Sequence, residues 1–167
     1  MGKIFTCADT HFGHANIIEY CNRPYKDVEE MNKALIDNWN SVVTPEDTVI
    51  FCGDFCLGKK EDIIKYGQAL NGHKIITLGN HDHASKTTYK EAGFESIFGE
   101  KVVFDFDDYG TIIFSHHRVP NEEAHYLNIY GHQHDKPDDD DKHICVSMEC
   151  IDYKPIALEE IMKNIKK

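Results

Sequence analysis

The sequence predicts an α/β protein of two β-sheets flanked by helices, and three observations carry that expectation. The first half alternates short apolar, strand-like runs with stretches of helical period. The second half changes to closely spaced strand-like runs, and a helical segment closes the chain. Finally, 167 residues suit one domain, 1–167, with a proper core and are few for two.

The elements follow in order. Residues 3–8 (KIFTCA) are an apolar run that stops at Asp9, and residues 13–21 set Ile17, Ile18 and Cys21 at helical spacing until Arg23-Pro24 breaks the pattern. Asp27 with Glu30 three residues on has the form of a capping box, opening a helix over 27–43 with Met31, Leu35, Trp39 and Val42 on one side. Thr44-Pro45-Glu46-Asp47 is a turn. Residues 48–52 (TVIFC) form a buried strand that runs into Gly53-Asp54, followed by a helix over 60–70, a strand over 74–78 and a short helix over 85–92. Strands then follow at Lys101–Phe106, 111–115, Leu127–Tyr130 and 143–148, with a turn at 107–110 and a closing helix at 157–165.

Composition narrows the function. Hydrophobic residues make up 41% and charged residues 28%, an ordinary soluble balance. No apolar run approaches the ~18 residues of a membrane span, and the N-terminus lacks the apolar core of a signal peptide, so a cytoplasmic protein with no membrane partner is expected. The six cysteines lack paired zinc-finger spacing, and Cys7, Cys52 and Cys145 sit in apolar runs; they read as reduced structural thiols. A net charge of −11 disfavours long nucleic acid as a partner, although bound cations can reverse the sign locally. The acidic run 138–141 lacks the glycine and spaced ligands of a calcium loop and reads as a solvated hairpin tip.

The eleven histidines concentrate where the strands end. The first strand runs into Asp9-Thr10-His11, the second into Gly53-Asp54, and the third into Gly79-Asn80-His81-Asp82. Two later strands run into Ser115-His116-His117 and Gly131-His132-Gln133-His134. In α/β sheets, ligand sites lie at such strand ends. In extended chain, Asp9 and His11 share a face, as do His132 and His134, because strand side chains alternate. Oxygen donors mixed with imidazoles and no thiolate suit Mn, Fe, Zn or Co. The glycines at 53, 79 and 131 permit close approaches that a Cβ would obstruct.

In this order, D-x-H, G-D, G-N-H-D, a lone H and G-H-x-H, the motifs resemble the calcineurin-like metallophosphoesterase superfamily, and the stretch DTHFGHANIIEYCNRP is similar to its small capless bacterial and phage members. The resemblance spans residues 9 to 134. It implies a four-layer αββα sandwich and two divalent metal ions (Mn, Fe, Zn or Ni). Asp9, His11, Asp54 and His134 would hold one metal; Asp54 would bridge to a second, held also by Asn80, His116 and His132. His81 would stand beside the scissile phosphate with Asp82 orienting its ring.

Two metals ~3.5–4 Å apart would turn a bridging water into a hydroxide for in-line attack, with His81 assisting the leaving group. The expected substrate is a small phosphate ester, a phosphodiester ahead of a monoester. A non-catalytic binding scaffold of the same fold is the competing reading, against which stands the presence of His81 and all seven ligand positions. Arg23 and Arg118, the only arginines, are expected at the substrate phosphate, since a guanidinium suits bidentate phosphate recognition. His14 is a further candidate for substrate contact. Loops 12–25, 55–60, 83–89 and 117–125 are left to select the substrate. The sequence leaves the oligomeric state open.

Overall fold

The computed structural model describes residues 2–165. Among the described residues, nine strands form two mixed sheets. In the first, β1 (Ile4–Cys7), β2 (Thr48–Phe51), β3 (His73–Thr77) and β4 (Phe94–Phe98) run parallel in the order β4-β3-β2-β1, and β9 (Ile156–Ala157) joins β1 antiparallel. In the second, β5 (Lys101–Phe106) pairs antiparallel with β6 (Gly110–Ser115), which continues parallel through β7 (Leu127–Tyr130) to β8 (His143–Cys145).

Two apolar cores explain this arrangement. Helices α1 (Asn16–Tyr20), α2 (Val28–Val42), α3 (Lys60–Ala69) and α4 (Lys86–Glu91) cover one face of the first sheet, where Ile17, Met31, Leu35, Trp39 and Ile63 pack against Phe5, Phe51 and Ile76. The second core lies between the sheets: Ile50 and Cys52 meet Ile112, Phe114 and Ile129, with Leu158 and Ile161 of α5 (Leu158–Ile165). Strand alternation sends Ile113 to the far face of β6, under Val119 and Ala124. The α2 start is capped in part as expected: the Asp27 carboxylate accepts the Glu30 N–H at 2.8 Å, but the Glu30 carboxylate accepts the N–H of Lys26 (2.7 Å) rather than that of Asp27, as a capping box would.

Two strands escape the sequence reading. β4 lies at a sheet edge with one fully buried residue, Phe94, so it carries little hydrophobic pattern. β9 is two residues long. The expected strand at 143–148 also stops at Cys145, because the chain then leaves to cross between sheets. The Ala8 N–H donates to the Val146 carbonyl (2.8 Å) and the Met148 N–H to the Ala8 carbonyl (3.1 Å). That seam brings Ser147 and Glu149 beside the end of β1. Among the described residues, no helix is long and apolar enough to cross a membrane.

Candidate metal centre

The five motif-bearing strand ends lie side by side: β3, β2 and β1 are consecutive in one sheet, and β6 and β7 in the other. Asp9, His11 and His134 offer ligand atoms within 4.8 Å of one another, as do Asp9, Asp54 and His116. Asp54 stands between the groups. Its Oδ2 lies 3.5 Å from His11 Nε2 and 3.3 Å from His116 Nε2, while its Oδ1 accepts the His81 backbone N–H at 2.9 Å. Asn80 Oδ1 lies 2.8 Å from His116 Nε2 and 3.1 Å from His132 Nδ1.

The backbone route to this cluster differs from the expected one. Asp9 and His11 (φ 60° and 50°), and His132 and His134 (71° and 51°), adopt left-handed rather than extended conformations, as does Asp54 (59°). A non-glycine residue in this region is uncommon and costs ~1–3 kcal/mol. Five such residues among seven candidate ligands mark backbone strain held in place by the surrounding bonds. Gly53 (φ 85°) extends the pattern, and a Cβ there would meet the His116 ring; a Cβ on Gly79 would enter the Asp54 carboxylate.

The outward atoms of three ligands are fixed from behind. Asp9 Oδ2 accepts from Ser147 Oγ (2.6 Å) and the His132 N–H (2.7 Å). His116 Nδ1 donates to the Cys52 carbonyl (2.9 Å), and His134 Nδ1 faces the Glu149 carboxylate at 3.2 Å. Metal-binding histidines are held in this way by outer partners. Two inward-facing atoms are unpaired: Asp9 Oδ1 and His11 Nε2 are buried without a hydrogen-bond partner. Stranding such atoms costs ~1–3 kcal/mol each, and a cation between them would supply the missing interaction. The donor set therefore fits divalent metal.

Electrostatics agree. Burial pushes the Asp9 and Asp54 carboxyls up, but the surrounding imidazoles, chiefly His11 for Asp9 and His116 for Asp54, hold both below the usual carboxylate range. Burial opposes a proton on His116, yet Asp54 and Asp9 raise its pKa to about 9. Without metal, protons compensate the carboxylates, and a bound cation would take their place.

Other expected site residues lie elsewhere or act differently. Arg23 has a fully buried side chain that donates from Nε to Glu149 (2.8 Å), and from its two terminal nitrogens to the Thr10 (2.9 Å) and Asp9 (2.7 Å) carbonyls. It clamps the strained 9–11 segment and is closed to substrate. Arg118 donates from Nε to the Asp138 carbonyl, and from its terminal nitrogens to Asn121 and Asp140. The 138–141 run is thus more than a solvated tip: Asp139 also accepts from Tyr130 Oη and the Cys145 N–H. Asp82 accepts the backbone N–H groups of Asp54 (2.7 Å), Phe55 (3.0 Å) and Gly79 (2.7 Å), so its carboxylate ties two ligand loops together rather than orienting the His81 ring.

His14 does reach the site. Its Nδ1 lies 3.1 Å from His11 Nδ1 and its ring 6.4 Å from that of His81, which in turn lies 5.5 Å from His11. Desolvation first, then His11 and His81, lower the His14 pKa to about 4. His117, next in the chain to His116, also reaches the cluster: its ring lies 4.4 Å from that of His132, and it offers a ligand atom within 4.8 Å of those of His116 and His132. Ser147 and Glu149 were missed altogether. No local motif marks them, and only the inter-sheet seam brings them to Asp9 and His134.

Fold and site together define a metallophosphoesterase-type protein. A family model described as calcineurin-like phosphoesterase matches residues 2–160. The chain is 40% identical over 173 residues to "Uncharacterized protein MJ1445" of Methanocaldococcus jannaschii, covering all of this chain and 93% of that one. It is 38% identical over 85 residues to the Gene 66 protein of Mycobacterium phage L5, across 49% of this chain and 41% of the phage protein. Among solved structures, a protein of unknown function from Aquifex aeolicus, AQ665, superposes with a TM-score of 0.77 at 28% identity, covering 98% of this chain and 100% of that one. The chain belongs to the calcineurin-like phosphoesterase family.

Proposed function

We propose that this chain is a metal-dependent phosphoesterase that holds two divalent cations and hydrolyses phosphodiesters in preference to monoesters. The observation that carries this reading is the pair of buried, unpartnered atoms, Asp9 Oδ1 and His11 Nε2, beside an Asp54 oxygen that faces two histidines. Asp9, His11, Asp54 and His134 would hold one cation; Asp54, Asn80, His116 and His132 would hold the other. When bound, the cations would supply an acidified water and charge compensation for the phosphoryl oxygens.

The chain's own groups do the rest. His81, anchored through its N–H to Asp54, stands on the His11 side with His14 behind it, in position to protonate the departing oxygen. The diester preference follows from the arginines. Both guanidinium groups are committed to protein acceptors, so the second negative charge of a monoester dianion has no free guanidinium to meet it.

Hydrolysis of p-nitrophenyl phosphate and bis(p-nitrophenyl) phosphate after loading with Mn, Fe, Zn or Ni tests both levels. The diester is expected to have the higher kcat/KM. A faster monoester would reject the preference, and no hydrolysis of either with any metal would reject the phosphoesterase reading.

A further inference from the structure

A second group of ligand atoms lies behind His134, on the side away from Asp9. The Cys21 sulfur, a ring nitrogen of His134 and a Glu149 carboxylate oxygen fall within 4.8 Å of one another. We propose that these three residues form a third cation site, which takes a thiophilic divalent metal of the zinc type, and that the His134 ring is shared between it and the candidate metal centre. The site goes beyond the phosphoesterase reading and needs no turnover to be seen.

Three separate segments build it. Helix α1 ends at Cys21, and Asn22 turns left-handed (φ 48°) before Arg23. Across that turn both flanking side chains reach Glu149. Arg23 Nε donates to its Oε1 at 2.8 Å, which leaves Oε2 open to a cation, and Cys21 comes within ligand range. Glu149 arrives on the inter-sheet seam two residues after Ser147, and His134 on the loop that follows β7. His134 Nδ1 lies 3.2 Å from each Glu149 oxygen, while its Nε2 looks the other way, 4.0 Å from Asp9 Oδ1. All three residues are half-buried, so an ion can enter from solvent.

The donor types set the ion. The candidate metal centre offers oxygen and imidazole, whereas here a thiolate joins an imidazole and a carboxylate, a softer set that favours zinc over manganese. Three protein ligands leave one position of a tetrahedral ion for water. Charge balances as well. Arg23 already matches Glu149, so the Cys21 thiolate and Asp135, whose charge also reaches Cys21, are left to offset the cation. The ion enters in exchange for the Cys21 thiol proton and the proton between His134 Nδ1 and Glu149. A metal on Nδ1 draws electron density from Nε2, so the two sites sense each other through one ring.

Cadmium NMR of the chain loaded with cadmium at every site tests this. A thiolate ligand moves a cadmium resonance far downfield of one held by oxygen and nitrogen alone. Such a resonance, at about one ion per chain, is expected in the wild-type protein and in Cys150→Ser, which removes the exposed thiol. Adding Cys21→Ser should abolish it and shift the resonance of the ion that shares His134. No thiolate-shifted resonance in Cys150→Ser would overturn the proposal, as would one that persists in the double variant. Loss of the resonance with every other one unmoved would reject the shared histidine. The thiolate resonance reads the same whether or not the chain hydrolyses phosphate esters, so its failure is distinct from failure of the hydrolytic reading.

Discussion

Replacing Arg23 with methionine removes the cation that joins the helical core to the candidate metal centre. Its side chain and that of Glu149 are 0% and 4% exposed, so water cannot substitute for the lost partner. Breaking a buried ion pair from one side costs ~3–5 kcal/mol, and the Asp9 and Thr10 carbonyls also lose their donors, at ~1–3 kcal/mol each before relaxation. We expect a net loss of about 4–6 kcal/mol, against a typical domain stability of ~5–15 kcal/mol. With a urea slope of ~2 kcal/mol/M, the unfolding midpoint should fall by about 2–3 M in metal-free protein followed by circular dichroism. Adding Glu149→Gln should recover part of the loss, because the stranded charge disappears. A loss below about 1 kcal/mol, or strict additivity in the double variant, would refute the clamp.

Three further outcomes follow from the same contacts. Glu149→Gln alone removes the carboxylate behind His134 Nδ1 and should weaken Mn binding about 10–100-fold by calorimetry, whereas unaltered affinity would show that His134 needs no such support. His81→Ala should keep its metals by elemental analysis and lose about 10²–10⁴-fold in kcat, most with poor leaving groups; unchanged kcat would remove His81 from the chemistry. Thr44 N–H and Lys3 N–H bonds hold the Asp47 carboxyl below its usual range despite desolvation, so its stabilisation is full above the unfolded-state pKa and is lost as pH falls through the folded value. Asp47→Asn should therefore flatten the acid limb of the stability profile below about pH 4, and wild-type acid sensitivity in that variant would contradict the assignment.

Much of this was legible in the sequence, because strand ends and caps are local. The apolar runs ahead of Asp9, Asp54, Asn80, His116 and His132 place those residues at strand ends whatever the tertiary details. Side-chain direction was less accessible. Arg23 and Arg118 have the chemistry of phosphate binders, yet each found acceptors far away in sequence, Glu149 at 126 positions and Asp140 at 22. Asp82 sits beside His81 in the chain but is drawn to backbone N–H groups on the neighbouring loop. The left-handed backbone at Asp9, His11, Asp54, His132 and His134 carries only a weak sequence signature: Asp and His enter that region more readily than most residues, but none of the five is glycine.

Metal stoichiometry of the wild-type chain and of Asp54→Ala tests the central claim most directly. With Asp54 Oδ2 facing both His11 and His116, the wild-type chain should bind about two Mn per molecule and the variant fewer than about one, since both sites lose a ligand together. One equivalent in the wild-type chain, or two retained in Asp54→Ala, would contradict it.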